Sequence, residues 1–280
     1  MELNKAILKD IIEGFAREGK IFSNEAQFQF AFAWAIKNND KTKNANVMLE
    51  QPIFLKNKND DTIIEKMYID IIVELDGKYY PIELKYKTAA QNKEYEIKNT
   101  KYYTFTQGAT ESGSYDFIWD IKRLERLFNK MEDKHYQWKS GLSTTSKEDI
   151  ILDYTSLGKS PNFKTGFAII ITNNPNYNKN RKADCFWKNF SLVHNRNLSG
   201  KLSWFDAEND CTNDFIDLKN DSVFFKKVKS NCGQSRCKPI DIKGAYTLNW
   251  KTYPIEGLPE KEFQYMIIPI AKQKDAPETV

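Results

Sequence analysis

The sequence predicts an α/β protein with a mixed central β-sheet flanked by helices. Apolar residues recur at helical spacing in two N-terminal segments and again over 115–131. Between them lies "DG" flanked by apolar segments, a strong signal for a β-hairpin. The run "FAIIITNN", over 167–174, is continuously apolar, as in a strand buried on both faces. This order of helix, strand, hairpin, helix and strand is typical of an α/β sandwich.

The first elements are two helices and a strand. Ile7, Ile11 and Phe15 lie on one side of a predicted helix over 5–18. We predict Ser23 as the N-cap of a second helix through "NEAQFQFAFAWAIKN". "NVMLEQPIFL" then predicts a strand, which a polar loop connects to the hairpin.

The elements after the hairpin are less regular. "QNKEYEIKNTKYYTF", over 91–105, is compatible with more than one structure, and we take it as a helix followed by a loop. "YDFIWDIKRLERLFNKM" predicts a strongly amphipathic helix. Residues 139–166 are rich in turn formers and predict a surface excursion, and "FQYMIIPIA" predicts a last strand. We expect a core domain over 1–175 and an α+β extension over 176–280 packed on it, the extension being a candidate for substrate binding.

Composition predicts a globular cytoplasmic protein. Of the 280 residues 40% are hydrophobic and 29% charged, which suits one large core or two small ones. No apolar run has the length of a membrane span, and charges interrupt the apolar N-terminus as they would not in a signal peptide. The net charge of +4 permits nucleic acid as a partner without requiring it, so local basic patches would have to bind it.

Cysteine and histidine usage argues against several classes of site. The four cysteines lack a second closely spaced pair to match "CGQSRC", so we expect no zinc. With only two histidines, a Cys/His or Ser/His/Asp catalytic arrangement is poorly supported.

The hairpin carries the chemistry that stands out. If Asp76 and Gly77 form a two-residue turn, Asp70 and Glu83 lie directly opposite, with Cβ atoms about 4.5–5.5 Å apart. Lys85 then projects from the same face as Glu83. The other face is predicted to form an apolar layer of Ile69, Ile71, Ile82 and Leu84.

Two opposed carboxylates repel, so something must offset their charge. A divalent cation would do so, and Mg²⁺ prefers one or two carboxylates together with water and phosphate. The alternative is a solvated face on which Lys85 bridges Asp70 and Glu83. Pro81 is a further complication, because it cannot donate to a strand ladder and a bulge there would shift the register.

An acid and an amide on the second helix add to this pattern. Glu25 lies in the first turn, where it either complements the helix N-terminus or turns toward a metal site. Gln29 follows one turn later on the same side, among apolar residues, and needs a hydrogen-bond partner.

This set of residues resembles the PD-(D/E)XK nuclease superfamily, whose members have a restriction-endonuclease-like fold. The resemblance covers roughly residues 20–175 and includes the strand motif "IELK". It departs from the family pattern at Ile69, since the namesake proline is not found before the aspartate. The residues that carry the resemblance are Glu25, Gln29, Asp70, Glu83, Leu84 and Lys85.

The resemblance implies Mg²⁺-dependent hydrolysis of DNA phosphodiester bonds, with Mn²⁺ able to replace Mg²⁺. Asp70, Glu83 and the backbone carbonyl of Leu84 would hold the metal against a scissile phosphate. Lys85 would orient the attacking water or stabilise the charge on phosphorus.

The helix residues would support this site. The resemblance implies that Glu25 ligates a metal directly or through water, with Gln29 supporting it from behind. The basic loops "NYNKNRK" and "FFKKVKSNCGQSRCK" are candidates for DNA contact, with ordinary solvated surface as the alternative. Their basic residues are Lys179, Arg181, Lys182, Lys226, Lys227, Lys229, Arg236 and Lys238.

Rival functions stay open. Within the nuclease class, a restriction or defence endonuclease competes with a repair or junction nuclease, and RNA stays open as a substrate. A homodimer is one way to cut both strands of DNA. Outside the nuclease class there are two alternatives. One is a non-catalytic nucleic-acid-binding module of the same fold, and the other is an interaction protein whose charges solvate one face.

Overall fold

The computed structural model of the protein describes residues 1–57, 59–89, 93–105, 107–128, 150–157, 161–204 and 223–271. Within these ranges the α-helices are α1 (Lys5–Arg17), α2 (Glu25–Asn38), α3 (Thr110–Phe128) and α4 (Val223–Cys232). The strands are β1 (Asn46–Asn57), β2 (Ile63–Leu75), β3 (Lys78–Lys87), β4 (Lys93–Ile97), β5 (Thr100–Thr104), β6 (Ile150–Asp153), β7 (Thr165–Thr172), β8 (Asn197–Leu202), β9 (Ile240–Thr247), β10 (Lys251–Thr252) and β11 (Gln264–Ala271).

The described strands form one large sheet and two small ones. In the large sheet the strand order is β10–β11–β7–β3–β2–β1–β6. There β7 runs parallel to β3, whereas β1 with β2, β2 with β3, and β7 with β11 are antiparallel. The small sheets pair β4 with β5 and β8 with β9. Because helices also cover both faces of the large sheet, the predicted α/β class with a mixed central sheet is confirmed.

The large sheet separates two apolar cores. In the α1–α2 core, residues such as Phe32 pack with Ile71 of the sheet, and in the α3 core residues such as Ile121 pack with Ile170. The predicted extension over 176–280 contributes to both cores. It also supplies β11, which pairs with β7 inside the large sheet. Part of this extension therefore completes the central sheet.

Strand β2 exchanges the faces of its side chains at Asp70. Ile69 packs in the α3 core, whereas Ile71 packs in the α1–α2 core. A regular strand keeps residues i and i+2 on one face, so the prediction that Ile69 shares a layer with Ile71 is wrong. Glu50 of β1, which lies between the partners of these two residues, has a φ of 50°. Strand β1 exchanges faces there too, because Val47 packs with the α1–α2 core and Ile53 with the α3 core.

A second hairpin follows the first, so the predicted helix followed by a loop over 91–105 is wrong. Strands β4 and β5 pair antiparallel. Lys98 and Asn99 between them have φ values of 50° and 63°, as in a two-residue turn with both central residues left-handed. Tyr95 and Ile97 are buried and alternate with exposed residues. This period of two favours a strand over a helix.

The predicted helices form with shifted ends. Asn24 caps α2, since its side chain accepts a backbone N–H from the first turn, and the prediction of Ser23 as the N-cap is wrong by one residue. The helix predicted over 115–131 starts earlier and is described to Phe128, while 129–131 lie outside the described residues. In the described part of the chain, none of the helices combines the length and the apolar character needed to cross a membrane.

The segment predicted as a surface excursion, 139–166, is described only in part. Residues 139–149 and 158–160 lie outside the described residues. The short apolar run becomes β6, which pairs with the end of β1 at the edge of the large sheet. At that edge Ile151 is 42% exposed.

A buried carboxylate joins α3 to the C-terminal part of the chain. Glu125 is 2% exposed. Its carboxylate accepts the backbone N–H groups of Lys243 at 3.0 Å and Gly244 at 2.6 Å, and the hydroxyl of Tyr246 at 3.0 Å. These donors satisfy both of its oxygens, so Glu125 anchors β9 to the helix.

Glu125→Ala is expected to lower the free energy of unfolding by about 2–4 kcal/mol, because one buried and two part-buried donors lose their acceptor. Urea denaturation measures the change. Asp116→Asn is the matched control on the same helix, since Asp116 is half-buried and pairs with Arg236. It should cost less than about 1 kcal/mol. Equal losses from the two substitutions would contradict the anchoring role.

Candidate active site where strands β2 and β3 part

The hairpin turn forms as predicted. Asp76 and Gly77 have φ values of 53° and 70°. Pairing runs in the predicted register to Ile71↔Ile82, with Pro81 opposite Ile72 and no shift between them. The predicted complication at Pro81 therefore does not arise.

Beyond Ile71 the two strands part. The sequence predicts that Asp70 pairs with Glu83 across the ladder, but the two residues do not pair. Instead, Oδ2 of Asp70 accepts the backbone N–H of Leu84 at 2.6 Å. The prediction of direct opposition is therefore wrong, because the exchange of faces at Asp70 turns its side chain toward the next residue of β3. This gap between β2 and β3 is the centre of the candidate site.

The backbone beside Asp70 is held by Gln29. The Nε2 of Gln29 donates to the carbonyl of Asp70 at 2.8 Å and to Oε1 of Glu50 at 2.7 Å. The hydrogen-bond partners that the sequence requires for this amide are thus Asp70 and Glu50, the residues at which the two strands exchange faces. Gln29 supports the backbone at the gap from behind.

Burial raises the pKa of the Asp70 carboxyl from its ordinary value of 3.8 to about 6. The positive charge of Lys85 opposes that shift, and the negative charge of Asp120 adds to it. A carboxyl that titrates near neutrality in a buried setting is typical of functional sites.

Glu83 is almost completely enclosed, at 1% exposure. Its Oε2 accepts from Nη2 of Arg123 at 2.7 Å. Its Oε1 is buried without a hydrogen-bond partner. Burial raises the pKa of Glu83 well above its ordinary value, although the guanidinium of Arg123 opposes the shift. An unpaired carboxylate oxygen in such a place is costly, so it calls for a physical explanation.

Lys85 lies on the same side of β3 as Glu83, as predicted. Its Nζ forms ion pairs with Oδ2 of Asp120 at 2.8 Å and Oε1 of Glu25 at 3.5 Å. It also donates to the carbonyl of Leu84 at 3.1 Å. Burial alone would lower the pKa of Lys85, but Asp120 and Glu25 outweigh it and raise the pKa. Lys85 is therefore a charged ammonium held inside the gap.

Glu25 reaches the site from the first turn of α2. Its Oε2 accepts the backbone N–H of Tyr86 at 3.1 Å and lies 3.4 Å from Nζ of Lys87. Its Oε1 faces Lys85. Glu25 thus ties the start of α2 to the strand that carries Glu83 and Lys85.

Sequence reasoning missed two residues of α3. Asp120 accepts from Nη2 of Arg123 at 2.7 Å, and Arg123 links it to Glu83. The signal was available, because Asp120 lies between Phe117 and Ile121 on the apolar stripe of the helix. A charged residue on such a stripe needs a buried partner.

The donor set fits a hard divalent cation in its chemistry. The gap brings together the carboxylates of Asp70 and Glu83 and the carbonyl of Leu84, and oxygen ligands of this kind suit Mg²⁺. The unpaired Oε1 of Glu83 is an available ligand atom. As the described side chains stand, no three His, Cys, Asp or Glu are grouped closely enough to hold a metal. The cations Lys85 and Arg123 balance the carboxylates instead.

The basic residues predicted to contact DNA have mixed settings. Arg236 forms a two-bonded ion pair with Asp116 of α3, and Arg181 stacks over the ring of Trp187 at 3.9 Å. Lys238 is half-buried, and for Lys227 only its place in α4 is described. The exposed members of the set are Lys179, Lys182, Lys226 and Lys229.

The outer face of α2 carries two exposed aromatic rings. Phe30 and Trp34 are each 64% exposed. Their rings stack almost in parallel, with centroids 6.5 Å apart and an interplanar angle of 13°. Exposed rings of this kind are surfaces on which nucleic-acid bases stack.

No protein-family model, curated protein or solved structure matches the chain.

Proposed function

We propose that the protein is a metal-dependent nuclease with a restriction-endonuclease-like core, which hydrolyses phosphodiester bonds in DNA. The observation that carries the proposal is Glu83, a carboxylate that is 1% exposed and has one oxygen without a hydrogen-bond partner. It lies at a gap between strands that also holds Asp70 and Lys85. These are the residues on which the sequence resembles the PD-(D/E)XK nucleases.

The cluster of buried acids costs free energy when no ligand is bound. Burial works against ionisation of both Asp70 and Glu83. A buried acid that lacks a full set of partners destabilises a fold by about 1–3 kcal/mol. A divalent cation would remove that cost by taking the unpaired oxygen and the excess negative charge. The mixed α/β fold, with the cluster at the centre of its sheet, supports the same interpretation.

Asp70, Glu83 and the carbonyl of Leu84 would hold the metal. Bound Mg²⁺ would supply polarisation of a phosphoryl oxygen and a lowered pKa for a water molecule. The buried ammonium of Lys85 stabilises the negative charge that develops on the phosphate. Glu25 orients that ammonium from one side, and Gln29 fixes the backbone of Asp70 from behind.

Cleavage assays test the proposal. Plasmid, single-stranded DNA and RNA are each incubated with the protein in Mg²⁺ or in EDTA. Mg²⁺-dependent cleavage of DNA is expected, and Glu83→Gln should reduce its rate at least about 100-fold. Glu74→Gln makes the same change on the neighbouring strand β2, outside the site. It is the matched control and should cleave normally. Absence of cleavage in all three substrates with either Mg²⁺ or Mn²⁺ would overturn the proposal.

A second function is favoured by one specific observation. Arg123 and Lys85 already pair with the carboxylates of the site, which is compatible with a closed ion-pair network in a non-catalytic nucleic-acid-binding module. That alternative predicts DNA binding without cleavage. It also predicts a thermal midpoint that Mg²⁺ leaves unchanged, whereas the nuclease is stabilised by the metal.

A further inference from the structure

Asp120 lies where burial of an ionised carboxylate costs free energy. It is 3% exposed and lies on the face of α3 that packs against the sheet, next to Phe117 and Ile121. An ionised carboxylate in such a place requires partners of opposite charge.

The two oxygens of Asp120 have separate partners. Oδ1 accepts from Nη2 of Arg123 at 2.7 Å, and Oδ2 lies 2.8 Å from Nζ of Lys85. The same Nη2 also donates to Oε2 of Glu83 at 2.7 Å, which leaves Oε1 of Glu83 without a partner. One carboxylate thus fixes both cations that flank Glu83.

Glu125, five residues further along α3, shows what a purely structural acid looks like in this helix. It is equally buried, but its hydrogen bonds come from two backbone N–H groups and a hydroxyl of β9, and its lysine neighbour, Lys122 of the same helix, lies 3.9 Å away. Asp120 instead forms its ion pairs with Lys85 and Arg123, whose side chains reach the gap between β2 and β3. Its partners therefore point to the chemistry of the site.

We propose that Asp120 is a positioning residue for phosphodiester hydrolysis, acting through Lys85 and Arg123, and this inference rests on the proposed nuclease function. Asp120 holds the ammonium of Lys85 in the gap. Through Arg123 it also fixes the orientation of Glu83, so that Oε1 faces the ligand and Oε2 is engaged. Helix α3 is by this account the element that completes the site.

A double-mutant cycle under steady-state conditions tests the role of Asp120. The proteins compared are the wild type, Asp120→Asn, Lys85→Met and the double variant. Asp120→Asn should lower kcat about 10- to 100-fold with little change in KM, as is usual for residues that orient catalytic groups. In the Lys85→Met background the same change should cost less than about threefold, because Asp120 has lost the group through which it mainly acts.

The outcomes separate the inference from the proposed function. If the wild type does not cleave with Mg²⁺, both fall. If the wild type cleaves and Asp120→Asn keeps its kcat, or if the two losses multiply in full, only the positioning role is overturned. Asp116→Asn, an acid one turn earlier that pairs with Arg236, should keep normal kcat. Asp120→Glu should recover part of the lost rate, whereas a merely structural defect would show equally in KM and in thermal stability.

Discussion

Replacing Lys85 by methionine is expected to lower kcat for DNA cleavage by about 100- to 1,000-fold while leaving DNA affinity within about twofold. Methionine keeps the length and apolar volume of the side chain but removes the charge. A preorganised cation aimed at developing phosphate charge contributes about this much to a rate. The affinity should persist, because in protein–DNA complexes most of the binding energy comes from many basic contacts along the phosphate backbone rather than from one buried side chain.

The same substitution also removes a partner from a buried ion pair. Asp120, which is 3% exposed, would keep Arg123 on Oδ1 but lose the partner of Oδ2, so a loss of about 3 kcal/mol in unfolding free energy accompanies the change. Activity is therefore measured well below the thermal midpoint, with circular dichroism to confirm folding. Lys101→Met, which breaks an exposed lysine pair with Glu94, is the control. Full activity in a folded Lys85→Met protein would contradict the catalytic assignment.

Asp70→Asn is expected to stabilise the protein by about 1–3 kcal/mol at pH 7.5 while abolishing metal-dependent cleavage. The pKa of Asp70 rises from 3.8 to about 6 on folding, and each pKa unit corresponds to about 1.4 kcal/mol. The folded protein binds the proton more tightly than the unfolded chain does. Stability from this group is therefore complete below pH 3.8 and is lost as the pH rises through about 6.

Urea denaturation of the wild type and Asp70→Asn across pH 4–8 isolates this contribution. The two curves should lie close together near pH 4, separate as the pH rises from 4 to about 6, and stay a constant distance apart above that. Mg²⁺ at ten times its Kd should restore about 1.4 kcal/mol to the wild type and nothing to the variant. Glu74→Gln on the same strand should change stability by less than about 0.5 kcal/mol. A variant that is less stable than the wild type at pH 7.5 would show that burial of this carboxylate carries no cost.

Local sequence signals were sufficient for the hairpin and its turn. Asp76 and Gly77 fix the turn through their backbone conformation, and the register follows as far as Ile71↔Ile82. Lys85 also follows, because alternation within a single strand is a local property. The exchange of faces at Asp70 could not be predicted, since it depends on β1 changing faces at Glu50 as well.

The residues that α3 contributes to the candidate site could not be predicted from the sequence for a different reason. Its apolar spacing predicts a helix, but the distance between Asp120 and Lys85 depends on how that helix packs across the sheet. The role of Arg123 is still harder to predict from local sequence, because its Nη2 contacts both Glu83 on β3 and Asp120 on α3. A charged residue on an apolar stripe indicates that a buried partner exists without saying which residue it is.

The exchange of faces in β1 and β2 also bears on how the chain finds its fold. In a regularly alternating pair of strands, a slip of two residues returns every side chain to its original face. Here such a slip would separate the break at Glu50 from the break at Asp70, so residues that face the α1–α2 core on one strand would lie beside residues that face the α3 core on the other. Misaligned assembly is thereby penalised at the same residues that form the gap, and pairing fidelity and the candidate site share one origin.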